Sequence, residues 1–263
     1  MECKMTEYEA LQKRISCRAF EDRPLTDEER TALEECAAAL DAAAKAADPA
    51  LRIELFTPGP GEKKLAMSKA MFTGPVYTYA AVIGPGTPEA AEKLGYFGHK
   101  LVLFAEQLGL STCWVAGTYS KSSLLVEKSE GERIWDIIPI GHGMEKQPLL
   151  QRGIRKKLRG GDRPLASFVE AEAPLEELPK WFQRAVEAVK IGPSAVNGQP
   201  INFSWEAGDG TPVVRAIVAK ENHNLEYNDL GIAKYQFEAA ARAFGVEGSW
   251  EWGDGGQFVI KSE

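Results

Sequence analysis

Two stretches carry residues whose types and spacing can do chemistry. One is Arg14-Ile15-Ser16-Cys17-Arg18-Ala19-Phe20; the other, far downstream, runs from Gly192 through Pro193, Ser194, Ala195, Val196, Asn197, Gly198 and Gln199 to Phe203. Two guanidinium forks with a hydroxyl between them suit an anion such as phosphate, because each fork donates paired N–H bonds to its oxygens. Spaced four apart, Arg14 and Arg18 would share a face if this stretch were helical. The second stretch reads as a turn, since its Pro, Gly, Ser and Asn leave backbone N–H groups outside regular ladders. There Ser194, Asn197 and Gln199 offer donors and acceptors to a planar polar ligand. Plainer readings stand beside both: a surface Arg pair with a capping Ser, and a turn that only connects two elements.

The elements that must position these stretches follow from periodicity and caps. Thr6 to Glu9 and Thr26 to Glu29 have the form of capping boxes, so helices are predicted after each, the second reaching about Ala47. Leu51, Ile53 and Leu55 alternate with polar residues, the period of a half-buried strand. A loop over 57–75 and a buried strand over 76–83 come next. Thr87-Pro88-Glu89 opens a helix that keeps apolar spacing to Leu108, with Gly109 as its stop. The pattern then predicts a strand over 110–116, a polar helix over 120–133 and a strand over 135–140. From Gln151 to Arg163 the chain is basic, and most of those charges read as a solvated linker face.

The second half repeats the first in outline. A shift of 150 places Pro24-Leu25 on Pro174-Leu175, each opening a helix, and Leu51, Ile53 and Leu55 on Ile201, Phe203 and Trp205. A shift of 136 places Gly95, Leu101, Ala105, Gly109 and Trp114 on Gly231, Phe237, Ala241, Gly245 and Trp250. The polar clusters are not repeated. Arg14, Ser16 and Arg18 fall on Pro164, Ala166 and Phe168, and the positions equivalent to 193–199 are 43–49, which lack the Ser and the Asn. Halves of 1–163 and 164–263 therefore carry one cluster each. Packed about a pseudo-two-fold axis, they would bring the two clusters to one place and leave the symmetry-related place empty.

Composition bounds the partners. A chain of 263 residues with net charge -7 has no overall pull on polyanions, so nucleic acid and anionic membrane are poor partners. No apolar run reaches the ~20 residues of a membrane span, and the N-terminus is not of signal type. The four cysteines show neither zinc nor disulfide spacing, which fits reduced thiols in a cytoplasm. There is no P-loop, GxGxxG or HExxH, and His99, His142 and His223 are expected on surfaces or in hydrogen bonds, with no metal.

A phosphate at one end and a polar flat ring at the other describe a flavin mononucleotide. Residues 14–20 resemble the N-terminal RxSxRxF stretch of the FMN-dependent nitroreductase family, and residues 193–200 its PSxxNxQP stretch. Residues 108–117, Ile138-Pro139-Ile140-Gly141 and Arg155-Lys156 resemble its later elements. In the family the turn follows soon after RxSxR; here it comes in the second half, so the resemblance is to a two-copy, single-chain branch. That implies an α+β, nitroreductase-like fold of two related αβ halves packed as an intrachain pseudo-dimer. It implies FMN, one per chain, held by Arg14, Ile15, Ser16, Arg18, Val115, Ala116, Gly117, Arg155, Pro193, Ser194, Ala195, Asn197 and Gln199. Arg14, Ser16 and Arg18 would serve the phosphate and the pyrimidine edge, with Arg155 reaching the phosphate. The Ala116 N–H would face N5, and the turn would contact the ring. No side chain is implied as nucleophile or base. The implied activity passes hydride from NAD(P)H through FMN to a small electron acceptor, a nitro compound or quinone, with one chain sufficient for binding. A flavin carrier or sensor without turnover is the alternative, and a flavin-free interaction module a third reading.

Overall fold

Thr6 and Thr26 both close reciprocal capping boxes. Each hydroxyl accepts from the N–H three residues on, at 3.2 Å, while that Glu accepts from the threonine N–H. They open α1 (Glu7–Lys13) and α2 (Asp27–Ala47). The structure, a computed structural model, describes residues 3–58, 64–145, 148, 153, 163–208 and 210–261. After α2 come β1 (Arg52–Phe56), β2 (Thr78–Pro85), α3 (Pro88–Gln107), β3 (Ser111–Thr112) and β4 (Glu132–Gly141). The second part holds β5 (Val169–Ala171), α4 (Lys180–Ile191), β6 (Ile201–Glu206), β7 (Val213–Val218), α5 (Glu226–Ala243), β8 (Gly248–Trp250) and β9 (Phe258–Ile260). The order helix, strand, strand, helix, strand, strand thus occurs twice, from α2 to β4 and from α4 to β9.

Two compact units arise from this order. The first comprises Met1–Gly86 and Lys100–Arg159, the second Thr87–His99 and Gly160–Glu263, so α3 contributes its first turns to the second unit.

In the first unit the sheet runs β1-β2-β4-β3, all antiparallel. β2 is buried along nearly its whole length, which accounts for its unbroken apolar run. A core forms from Phe20, Leu65, Phe72, Tyr79, Ile83 and Ile137, with the thiols of Cys17 and Cys113 inside it.

In the second unit β5 pairs parallel to β6 and β6 antiparallel to β7, while β8 and β9 form a hairpin. The core is aromatic. Phe237 stacks on Phe203 at 4.8 Å between ring centres and meets Trp250 and Phe258 edge-on at 5.2 and 5.4 Å. α5 crosses the first turns of α3 at glycines. A Cβ on Gly231 would lie 1.8 Å from the Glu92 carbonyl oxygen, and one on Gly95 2.1 Å from that of Asn228. These are the two glycines that the 136-residue shift superposes, and only glycine permits so close an approach.

Three expected elements differ. The strand predicted over 110–116 is laddered only at Ser111–Thr112; Cys113 and Trp114 leave β4, and a single bridge resumes at Val115 with Ile137 in the same register. The polar helix predicted over 120–133 is one short 3-10 turn, Lys121–Ser123. Its serines hold the backbone locally: Ser123 Oγ donates to the Ser120 carbonyl and accepts from the Ala66 N–H. Pro174-Leu175 opens only a 3-10 turn, and the helix proper starts at Lys180 behind Pro179. Of the three histidines, His223 is exposed as expected, while His99 and His142 are buried.

Candidate functional site

Arg14 ends α1 as its C-cap, with an extended backbone after it. Residues 14–18 are therefore not a helical face, and this corrects the reading of Arg14 and Arg18 as one turn apart. Tertiary pairing wins over local helix: Ser16 bridges Thr112 in parallel, and the Cys17 N–H donates to the Thr112 carbonyl at 2.8 Å. The next residues are fixed from both sides. Thr73 N–H donates to the Arg18 carbonyl, and Phe20 N–H to that of Thr73, both at 2.9 Å. Gly74, at φ +82°, lets the Phe20 carbonyl pass where a Cβ would be 1.9 Å away. In extended backbone every second side chain points the same way, so Arg14, Ser16 and Arg18 can still act together.

The electrostatics place both guanidiniums beside β3 and the end of α3. Burial pushes the Cys113 thiol up to about 11, while Arg18 and Arg14 pull against that rise. Burial likewise raises the Glu106 carboxyl, with Arg14 and Lys13 opposing it. Arg14 itself is only 6% exposed, Arg18 is half-buried, and Ile15 stands at 38%. Past the bridge at Val115, Ala116 and Gly117 are exposed bend residues, and the space a Gly117 Cβ would take is open. The structure thus sets the backbone of residues 16–17 against Thr112, with Arg14 and Arg18 near Cys113, a few residues before Val115, Ala116 and Gly117. Arg155 lies outside the described residues.

In the second unit the stretch after α4 is the expected turn, with a 3-10 step at Ala195–Asn197. Its backbone is left-handed at three non-glycine positions: Val196 at φ 46°, Asn197 at 57° and Gln199 at 48°. Part of its polar inventory is spent on the turn itself. Ser194 Oγ accepts from the Gln199 N–H at 2.9 Å, and the Gln199 side-chain amide donates to the Lys190 carbonyl at 2.8 Å. Pro193, Ser194, Ala195, Asn197 and Gln199 are all partly exposed, and Val196 at the tip is 56% exposed.

Beneath the turn lies a small pocket lined in part by Pro193, Ser194, Gln199, Asp229 and Gln236. Gln236 is fully buried, and its amide makes no hydrogen bond to the described residues.

Three residues that brace this turn were not singled out by sequence reasoning. Asp229 accepts from the Ala195 N–H, and Asn222 donates to the Ala195 carbonyl. Arg163 stacks over Phe168 at 3.9 Å and donates to the Gln199 carbonyl at 2.8 Å, so it is not part of a solvated linker face. A signal existed only for Asp229, an acid within the otherwise apolar period of Leu230, Ile232, Ala233 and Phe237.

An α+β chain whose Arg/Ser segment is bridged to a short strand at the edge of the four-stranded sheet is the class of protein that this geometry defines. The particular family is matched directly: the chain belongs to the family described as "Putative TM nitroreductase", whose profile matches residues 6–241. It is similar to the crystal structure of a "putative nitroreductase" from Thermotoga maritima, with 21% identity, TM-score 0.60, and 99% of this chain and 95% of that chain covered. At that identity the likeness shows the fold, which is nitroreductase-like. The chain is also similar to a nitroreductase with bound FMN from Bacteroides fragilis, at 14% identity and TM-score 0.41, covering 55% of this chain and 92% of that one. An FMN-dependent nitroreductase from Clostridium difficile matches at 18% identity and TM-score 0.41, covering 52% and 88%. No curated protein matches the chain. Among the described residues, no helix is long and apolar enough to cross a membrane.

Proposed function

We propose that this chain is an FMN-dependent oxidoreductase that takes hydride from a reduced nicotinamide and delivers it to a small electrophile, such as a nitro compound or a quinone. The observation that carries this reading is the extended Arg14-Ser16-Arg18 segment, bridged to β3 next to the exposed Ala116 and Gly117, in a chain of the nitroreductase family. The residues fit the group. Two guanidiniums and a hydroxyl in one extended segment match a phosphate, and the exposed Ala116 N–H has no partner among the described residues with which a ring nitrogen would compete.

Bound FMN supplies the two-electron carrier chemistry. Of the chain's own residues, Arg14, Ser16 and Arg18 would hold the phosphate and the pyrimidine edge, Arg155 would add charge, and Ala116 would donate its N–H toward N5. Pro193, Ser194, Ala195 and Asn197 would contact the ring, with Gln199 closing the turn. Because each cluster occurs once in the sequence, one FMN per chain is expected, with no second chain needed for binding.

The test begins with colour: purified protein should be yellow, and flavin released on denaturation should equal protein. Oxidation of NADH and NADPH is then followed against nitroaromatics and quinones. No turnover with either donor in flavin-loaded protein overturns the oxidoreductase reading. A flavin-to-chain ratio near two overturns the single site.

A further inference from the structure

The turn at 193–200 holds left-handed backbone at two successive non-glycine residues, one of them β-branched and at the exposed tip. Such backbone persists only where its surroundings over-determine it. What determines it here is a clamp on the residue just before. Asp229, on α5, accepts the Ala195 N–H on both carboxylate oxygens, at 3.0 and 3.3 Å. Asn222 donates from Nδ2 to Asp229 at 2.6 Å and to the Ala195 carbonyl at 3.0 Å. Both polar groups of the Ala195 backbone are thus held by one pair of side chains. Gly198 makes room for the pair, since a Cβ there would lie 2.3 Å from Asn222 Oδ1. Asn222 is itself fixed, its N–H donating to Glu226 at 2.9 Å.

The clamp needs a carboxylate. Both Asp229 oxygens already receive N–H donors, so a proton on either would face a donor and break part of the grip. We propose that Asp229, acting through Asn222, is a positioning residue for the flavin-facing turn: its ionised form holds Val196 and Asn197 in left-handed backbone, and protonation releases the turn and weakens flavin binding. This rests on the FMN reading given above.

Protonation lies within reach of ordinary conditions. Burial pushes the Asp229 carboxyl up to about 7, against the pull of its bonds to Asn222 and Ala195 and with help from the charge of Glu226 one turn earlier. The residues that line the pocket with Asp229 are uncharged: Val189 from α4, Ser194 from the turn, Ile201 from β6, and Ile232 and Gln236 from its own helix. A carboxyl raised above its unfolded value of ~3.9 contributes most to global stability below that pH, and the contribution is lost as pH rises through 7. Turn order should move the other way, rising with pH. The two effects are therefore separable.

The experiment measures hydrogen exchange of the 195–199 amides in flavin-free full-length protein, corrected for intrinsic rates, and FMN affinity over the same pH series. Between about pH 8 and about pH 5.5, protection and affinity should each fall on the order of tenfold, as the competent fraction falls. Asp229→Asn keeps the shape but puts an NH₂ where one oxygen stood, so it should show loosened amides and a flat pH profile. Should that variant fold poorly, the wild-type pH series decides alone. Protection unchanged with pH, or the same in wild type and Asp229→Asn, overturns the proposal. Amides that loosen as described while no form binds FMN would support the clamp and overturn the functional reading instead.

Discussion

Lys234 and Glu92 form an ion pair whose side chains are 0% and 1% exposed. The ammonium also donates to the carbonyls of Glu251 and Gly253, at 2.8 and 2.9 Å, and the second Glu92 oxygen accepts the Gly253 N–H at 2.7 Å. All three ammonium protons are used, as burial of a charge demands. The pair therefore ties the 251–253 loop to α5 and to the first turns of α3. Lys234→Met leaves Glu92 buried without its cation and should cost about 3–5 kcal/mol. Adding Glu92→Leu should recover part of that loss. Urea unfolding of the two single variants and the double variant checks this, and a double variant as unstable as the sum of the singles refutes it.

Val196 offers the opposite sign. At φ 46° it sits where glycine is at ease and a β-branched residue is not. Val196→Gly should stabilise the fold by about 1 kcal/mol, the relieved strain exceeding the added freedom of the unfolded chain. The readout is the denaturant midpoint in flavin-free protein. A lower midpoint would mean that the exposed valine makes contacts that outweigh its strain.

His142 gives a pH dependence. It is buried, with Nε2 3.3 Å from a carboxylate oxygen of Glu29. Burial lowers its pKa from the usual ~6.5, and Glu29 only partly restores it. A depressed value means that the unfolded chain binds the proton first, so the stability tied to His142 is present above ~6.5 and lost as pH falls through the folded value. His142→Gln should flatten the fall in stability between about pH 7 and about pH 5. An unaltered slope would assign that pH dependence to other groups.

Arg14→Ala should weaken FMN binding by about 1.5–3 kcal/mol, the range for a hydrogen bond to a charged group. Because Arg14 is buried, the variant should also lose fold stability, which Arg18→Ala at a half-buried position should do less. Flavin titration and thermal unfolding are read together. A folded Arg14→Ala protein with unchanged flavin affinity places the phosphate elsewhere.

The long helices and buried strands were legible from the sequence because period and caps agreed: α2 and α3 lie within a residue or two of where Thr26 and Thr87 put them. The chemistry-bearing residues were legible as types. Their local structure was not. Nothing in Arg14-Ile15-Ser16 announces that Thr112, far along the chain, will draw it into a bridge and end α1 at Lys13. The serines at 120–123 look helix-compatible by polarity, yet their hydroxyls hold their own backbone in a single 3-10 turn. Arg163 was hidden among basic neighbours, and only its stacking on Phe168 and its bond to Gln199 set it apart. The clamp of Asp229 and Asn222 on Ala195 joins residues distant in sequence, which no local pattern reveals.

The crossing of α5 over the first turns of α3 has a consequence for how the chain is made. The second unit includes Thr87–His99, so its first piece leaves the ribosome long before its other parts exist. Until Glu226–Ala243 follows, Gly95 has no helix to lie against and the Glu92 carboxylate no ammonium. At about 5–20 residues per second that wait is on the order of ten seconds, during which an apolar helix surface is left to chaperones or to chance. A nascent chain halted before Glu226 should therefore be open to proteases at residues 87–99, and one released after Gly253 should not.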